Sequence, residues 1–271
     1  MSDAATRWRS ALAEWEIPPA ILAAAPESPW QFPTGLFEKR ADRAVHRRTP
    51  SNEAALQWLP EGGAVIDVGC GAGAASLPLA DRAGRLIGVD MSTDFLSEFR
   101  ARAERLVEHV VTVEGPWPDV AAGVEVADVV VCANVAYNVP DLAGFALAMT
   151  EHARRRVVLE LTLHHPMSAL NDLWLRFHGV RRPDRPTADD CEGVLRAAGL
   201  EPRRTDWVPS DPPAGLERGE MVAWTRRRLC LTLDRDPEVE AAIMPWLAGG
   251  DGSASPPVRP VVTFDWAGRA S

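Results

Sequence analysis

Three glycines at alternate positions, Gly69, Gly71 and Gly73, follow directly on the apolar run Val65-Ile66-Asp67-Val68. Glycine takes positive φ at no steric cost and lets a ligand lie against the main chain. A strand that runs into such a turn and then into a helix aims backbone N–H groups at that ligand. Asp90 ends a second apolar run, 17 residues after Gly73, where a carboxylate can accept both hydroxyls of a ribose. Further along lies His164-His165-Pro166. Neutral histidine can take a proton from a hydroxyl or amine near neutral pH. The residue before proline is held extended and neighbouring side chains alternate, so at most one of the two histidines faces a pocket. Of the pair, His164 is expected to be the one beside the reacting group. The candidate catalytic residues are His164, His165 and Tyr137, the only tyrosine in the chain. Glu160, inside an apolar run, is expected to be buried and hydrogen-bonded.

Two ligands compete for the glycine turn. Gly69-x-Gly71-x-x-Ala74 fits the dinucleotide pattern, which by itself is weak. Asp67, two residues before the first glycine, would repel a pyrophosphate but would tolerate a zwitterionic, sulfonium-bearing ligand. Asp67 could also receive backbone or water-bridged amine hydrogen bonds. An NAD(P)-dependent oxidoreductase is further disfavoured because no Ser/Tyr-x-x-x-Lys pair is recognisable. Lys39 is the sole lysine and precedes the sheet.

The elements that must position these groups alternate between strand and helix. Strands are expected at Ala64–Val68, Arg85–Asp90, Val110–Glu114, Asp128–Cys132 and Arg156–Leu163. Helices are expected at Ala74–Asp81, after the N-cap Ser92, and at Leu142–His152. Such alternation implies a parallel sheet covered on both faces. Beyond residue 163, Leu170, Leu173, Trp174 and Phe177 form a helical stripe. Thr187 with Asp190 resembles a capping box, and Gly199 suits the end of that helix. Arg203–Val208 reads as a sixth strand, 216–231 and 237–247 as helices, and Arg259–Trp266 as the last strand. At the front, Trp8, Leu12 and Trp15 fit one helical face.

With those residues in view, the sequence resembles the class I S-adenosylmethionine-dependent methyltransferase family. Asp67-Val-Gly-Cys-Gly-Ala-Gly73 matches the family's first motif, and Gly88-Val-Asp90 its ribose-binding acid. Ala127–Cys132 matches the fourth strand, with Tyr137-Asn-Val-Pro-Asp141 in the loop after it, and Arg155–Leu163 the fifth. The resemblance covers about 64–163. It implies an α/β fold: a seven-stranded, mostly parallel, doubly wound sheet with one antiparallel strand, the last, inserted beside the fifth. It implies S-adenosylmethionine as cofactor, with S-adenosylhomocysteine as product. The cofactor-binding residues carried over or inferred are Asp67, Gly69, Cys70, Gly71, Gly73, Asp90, Met91, Pro116, Trp117 and Asn134. The family often has Gly-Asp-Ala after the third strand, whereas this chain has Glu114-Gly115-Pro116-Trp117. Trp117 is therefore expected to pack on the adenine face in place of the missing acid. Asn134 should lie beside the methionine moiety.

The expected organisation is a helical arm over 1–50 and a methyltransferase domain over 51–271, with 164–182 and 213–250 as lid insertions. Trp8, Trp15, Trp30, Trp174 and His178 are candidate lid or pocket residues. Transfer from a sulfonium is an in-line displacement, so orientation and water exclusion could carry much of the rate. The acceptor is expected to be a small organic molecule. A non-catalytic cofactor-binding or regulatory protein is the other class that this pattern admits.

The chain has 271 residues, 29 basic and 38 acidic, for a formal charge of −9. Of these, 15 basic and 22 acidic residues lie in 1–163, so −7, which leaves −2 for 164–271. That balance argues against a nucleic acid held mainly through charge. It also leads to the expectation of a near-neutral, tryptophan-rich lid. The four cysteines form no Cys-x-x-Cys pair, and no metal site is expected. No apolar stretch is long enough for a membrane span, and the cytoplasm is the expected location. The oligomeric state is not readable from the sequence.

Overall fold

The computed structural model describes residues 2–30, 41–210, 216–247 and 257–270. Seven strands form one sheet in the order β3-β2-β1-β4-β5-β7-β6. They are β1 (Gly63–Val68), β2 (Ala83–Asp90), β3 (His109–Glu114), β4 (Ala127–Ala133), β5 (Ala153–Thr162), β6 (Arg203–Trp207) and β7 (Val261–Ala267). Among the described strands only β7 runs against its neighbours, pairing antiparallel with both β5 and β6. This is the α/β sheet that the sequence resemblance implies, seven-stranded and mostly parallel, with the last strand inserted beside the fifth.

Strand order reverses direction between β1 and β4. In open parallel sheets a ligand lies in the crevice that this reversal leaves at the carboxyl ends of the strands. Both glycine turn and Asn134 are at that edge.

Layers form because β1, β4 and β5 are apolar on both faces. On one side Ile66, Val130, Val157 and Phe264 pack with α1 (Asp3–Ala13), α5 (Leu142–His152) and α7 (Ala188–Ala197). On the other, Val65, Val129 and Val158 pack with α3 (Pro50–Leu56) and α4 (Thr93–Ala103). A third cluster, around Leu170, Trp174, Leu229 and Ile243, joins α6 (Asn171–His178), α8 (Arg218–Arg228) and α9 (Asp236–Ala242). A short α2 (Pro19–Ala24) precedes the sheet. The caps are those the sequence suggests. Ser92 accepts the Phe95 N–H, and Thr187 and Asp190 form a reciprocal box.

One expectation fails locally. The α-helix expected at Ala74–Asp81 is a run of turns ending in a short 3-10 segment, Leu77–Leu79. Pro78 has no N–H to offer the Ala74 carbonyl, and Gly73 holds φ at 97°, so a regular helix cannot propagate. Parts of the arm expected over 1–50 and of the insertion expected over 213–250 lie outside the described residues.

One charged cluster stitches the far edge of the sheet. Asp265 on β7 is fully buried and accepts from Arg156 on β5 at 2.6 Å and Arg203 on β6 at 2.9 Å. Among the described residues, no helix is long and apolar enough to cross a membrane.

Candidate active site

The glycine turn closes on itself. Gly69, Gly71 and Gly73 all hold positive φ. A Cβ on Gly69 would come within 2.4 Å of a Val135 methyl, whereas one on Gly71 would project into open space. The turn's amides are spent internally: those of Gly69 and Cys70 go to the Val89 carbonyl, and that of Gly73 to Cys70. Gly71 N–H goes to the Asp90 carboxylate at 2.9 Å, and the other Asp90 oxygen takes the Ser92 N–H at 3.0 Å. With no α-helix behind the turn and these four donors used, a pyrophosphate finds little to bind. A ligand with hydroxyl donors still finds Asp90, since each carboxylate oxygen has a second lone pair.

Beneath the turn sits Asp67, buried, accepting the Ser76 hydroxyl at 2.6 Å through Oδ2. Among the described residues its Oδ1 has no hydrogen-bond partner. Burial pushes the Asp67 carboxyl up to about 7, the Ser76 hydroxyl bond pulls it back, and the nearby Asp90 charge pushes it up again. A buried acceptor without a partner, close to a second carboxylate, suits a ligand that brings positive charge and donors. These residues therefore fit S-adenosylmethionine. The Cys70 thiol, buried near both acids, is pushed far above its ordinary range and stays protonated, so its backbone is what shapes the turn.

The Asp67 shift has a testable sign. Its folded-state value lies above the unfolded 3.8, so folding takes up a proton between pH 4 and 7, and stability falls as pH rises through that window. Asp67→Asn keeps the acceptor for Ser76 but removes the charge. In thermal melts without ligand, the variant is expected to exceed wild type at pH 8, the gap closing as pH falls towards 4. A gap independent of pH would contradict the assignment.

At the next strand end Asn134 stands in left-handed conformation, φ 61°, its N–H donating to the Glu160 carbonyl at 2.8 Å. The Asn134 side chain also bonds the Glu160 carboxylate. Ser51 donates to that carboxylate at 2.5 Å, and having spent its proton there must accept from Thr263, 2.7 Å away. Trp207 N–H in turn donates to Thr263 at 3.0 Å. Four residues from four elements thus form a donor chain that ends on Glu160. Burial raises the Glu160 carboxyl above its usual range, and the Ser51 and Asn134 bonds oppose that rise.

Glu160 and Asn134 open on a cavity of about 1610 Å³, walled by Ala74 and Ala75 of the turn, the end of β4, and the aromatic groups Trp15, Trp174, Trp224 and His165. Its described lining has seven arginines but two glutamates, Glu16 and Glu160. The near-neutral sum expected for the lid segment does not describe this lining, to which residues 1–50 contribute four of the seven arginines. Charge summed along the segments did not show which arginines turn inward.

Several expected site residues are placed otherwise than anticipated. His164 is exposed, does not line the cavity, and pairs by an isolated bridge with Thr187. His165 is the histidine that lines it. Its ring stacks on Trp15 at 3.8 Å, and Nδ1 accepts the Met167 N–H at 3.2 Å. Burial, with Arg182 and Arg259 nearby, pulls His165 down to about 3. The ring is neutral, and with Nδ1 occupied its proton resides on Nε2. It can donate but has no lone pair free to act as a base. Tyr137 is buried and gives its hydroxyl to the Thr162 carbonyl at 2.8 Å, and burial pushes its phenol up, so it ties the β4 loop to β5.

Trp117 is turned into the core rather than open to a ligand. It is 8% exposed, its N–H reaches the Phe145 carbonyl at 3.3 Å, and it meets His152 edge-on. Pro116 and Met91 are exposed beside the Asp90 end. Trp15, Trp30 and Trp174 line the cavity, but Trp8 packs in the core with its N–H on Val139, and His178 bonds the Leu229 carbonyl. Arg182 and Arg259, both on the wall, carried no pattern that marks them in sequence. Only the fold brings them together.

Residues 65–160 match the family model described as a methyltransferase domain. An uncharacterised protein of Haemophilus influenzae is 30% identical over 126 residues, covering 45% of this chain and 46% of the relative. The chain thus matches about half the length of that curated relative. A cyclopropane-fatty-acyl-phospholipid synthase-like protein from Lactobacillus casei superposes with TM-score 0.56 at 16% identity, over 92% of this chain and 97% of that one. A candidate methyltransferase from Bacillus halodurans superposes with TM-score 0.54 at 16% identity, over 80% and 98%. At such identity these two speak to the fold.

Proposed function

We propose that the protein methylates a small organic acceptor with S-adenosylmethionine as donor, a reading supported by the match of residues 65–160 to the model of a methyltransferase domain. The observation that carries this reading is a juxtaposition: the glycine turn and Asp90 cradle lie at one sheet edge with the Asn134 and Glu160 end of a large aromatic cavity. The cofactor would be held by Asp90 on its ribose, by the open main chain at Gly71, and by Asp67 and Asn134 towards its charged end. When bound, it supplies a methyl group already activated on a sulfonium.

This chain's own side chains orient the acceptor and exclude water. Trp15, Trp174 and Trp224 make the apolar walls, and the segments 164–182 and 216–247 form the cover over them. Glu160 is the group suited to take a proton from an acceptor hydroxyl or amine, because its raised carboxyl lies nearer neutrality than an ordinary one. His165 donates through Nε2 and orients.

Calorimetry tests the reading. S-adenosylmethionine and S-adenosylhomocysteine are expected to bind with micromolar dissociation constants and NAD⁺ not measurably. Binding of NAD⁺ with no response to either sulfur ligand would overturn it.

A further inference from the structure

Resting on that reading of the cavity, we infer that Arg182 and Arg259, with the Nε2–H of His165, form an anion subsite, and that the acceptor carries a carboxylate or phosphate on an apolar body.

Both guanidiniums are held in place before any ligand arrives. Arg182 donates to the main-chain carbonyls of Trp15 and, at 2.9 Å, of Glu16, and lies over the Trp174 ring at 5.0 Å and the Trp15 ring at 5.7 Å. Arg259 donates to the Pro166 carbonyl at 2.9 Å. Each of these bonds uses one N–H of a fork that has several, so donors remain on both. Both arginines and His165 line the same cavity.

Neither arginine forms an ion pair among the described residues, although many of the chain's other arginines do. A cation taken out of water is costly until it is paired. Burial lowers both arginines below their ordinary value, the direction expected of uncompensated positive charge. His165, close enough to both to be pulled down by them, remains neutral and adds a donor rather than a third cation. The chain as a whole is at −9, so the positive lining is a local arrangement rather than a reflection of composition. Planar fork donors suit the two or three oxygens of a carboxylate or phosphate. The indoles of Trp15 and Trp174 suit an apolar or aromatic remainder.

The test uses the full chain with S-adenosylhomocysteine present and three probes that share a phenyl ring: phenylacetate, phenyl phosphate and neutral phenylacetamide. In titration calorimetry, one of the two anions is expected to bind at least about tenfold tighter than the amide, and to weaken as salt is raised. Which anion wins identifies carboxylate or phosphate. Arg259→Gln is expected to lose about tenfold for that anion, Arg259→Lys less, and both should hold S-adenosylhomocysteine within about twofold of wild type. Arg182→Gln should behave like Arg259→Gln. Arg182 also holds the turn that follows α1 through the Trp15 and Glu16 carbonyls, so thermal melts accompany it, and the Arg259 pair decides if that variant unfolds. Equal affinity for anions and amide, or no binding of any probe at about 10 mM, overturns the subsite. So does loss of S-adenosylhomocysteine affinity in the Arg259 variants, which would place the arginines on the cofactor. Wild-type protein that binds an anion through Arg259 but not S-adenosylhomocysteine would sink the methyltransferase reading and leave the subsite standing.

Discussion

Asp90→Ala is expected to weaken S-adenosylmethionine binding by about two orders of magnitude, or ~3 kcal/mol, in a protein that still folds. The carboxylate does two things at once. It is the acceptor positioned for a ribose, and it fixes the turn by taking the Gly71 and Ser92 N–H groups at 2.9 and 3.0 Å. Alanine removes the acceptor and frees the main chain at the point where the cofactor must approach it. Hydrogen bonds to a charged group contribute about 1.5–3 kcal/mol each, so losing the ligand's bonds and the turn's rigidity together reaches the stated size. Asp90→Asn keeps one acceptor oxygen and should lose about tenfold. Calorimetry on both variants is decisive, and an alanine variant within about threefold of wild type would remove Asp90 from the cofactor site.

Asp265→Ala should destabilise the sheet strongly, by about 3–5 kcal/mol in urea unfolding. The cost is not that of a surface ion pair. Asp265 is fully buried, while Arg156 is 16% exposed and reaches it from β5 and Arg203 reaches it from β6. Removing the acid leaves the Arg156 charge inside without its partner and cuts the tie among three strands. Arg203, half exposed, can turn to water, so Arg203→Ala is expected to cost about 1 kcal/mol or less. A loss below about 1 kcal/mol for Asp265→Ala would mean that the cluster is solvated and holds nothing together.

The sheet and its cradle were readable because their signals are local. Val65 to Gly73 and Arg85 to Asp90 state strand, turn and acid within a few residues, and the short Val-rich runs of β4 and β5 have the length and composition of strands buried on both faces. Where the reading failed, a tertiary partner decided. Trp117 looked available because its neighbours in sequence are turn residues, yet the Phe145 carbonyl and His152 on α5 draw it inward. Between His164 and His165 the sequence allows only one to face inward, and the structure turns His165 rather than His164 to the cavity. Trp15, some 150 residues away, supplies the surface on which His165 stacks. The helix expected after the turn was lost to Pro78, whose effect depends on where the first turn begins. Glu160 was recognised as a buried, bonded acid, but its opening on the cavity follows from Ser51 and Asn134, which lie far apart in the chain.

The position of β7 also governs how the chain can be made. Among the described residues β6 pairs with β7 and with no other strand, and β5 has β7 on one side. During synthesis Trp207 emerges well before Val261, with about 50 residues between them, and at the usual elongation rate of about 5–20 residues per second that delay is about 3–10 s. Throughout it the nascent chain presents β5 as an open edge and β6 as a strand with nothing to join. An open edge is a template for pairing with another molecule. Arg156 on β5 and Arg203 on β6, which later converge on Asp265, put charge on those waiting strands until the acid that neutralises them arrives.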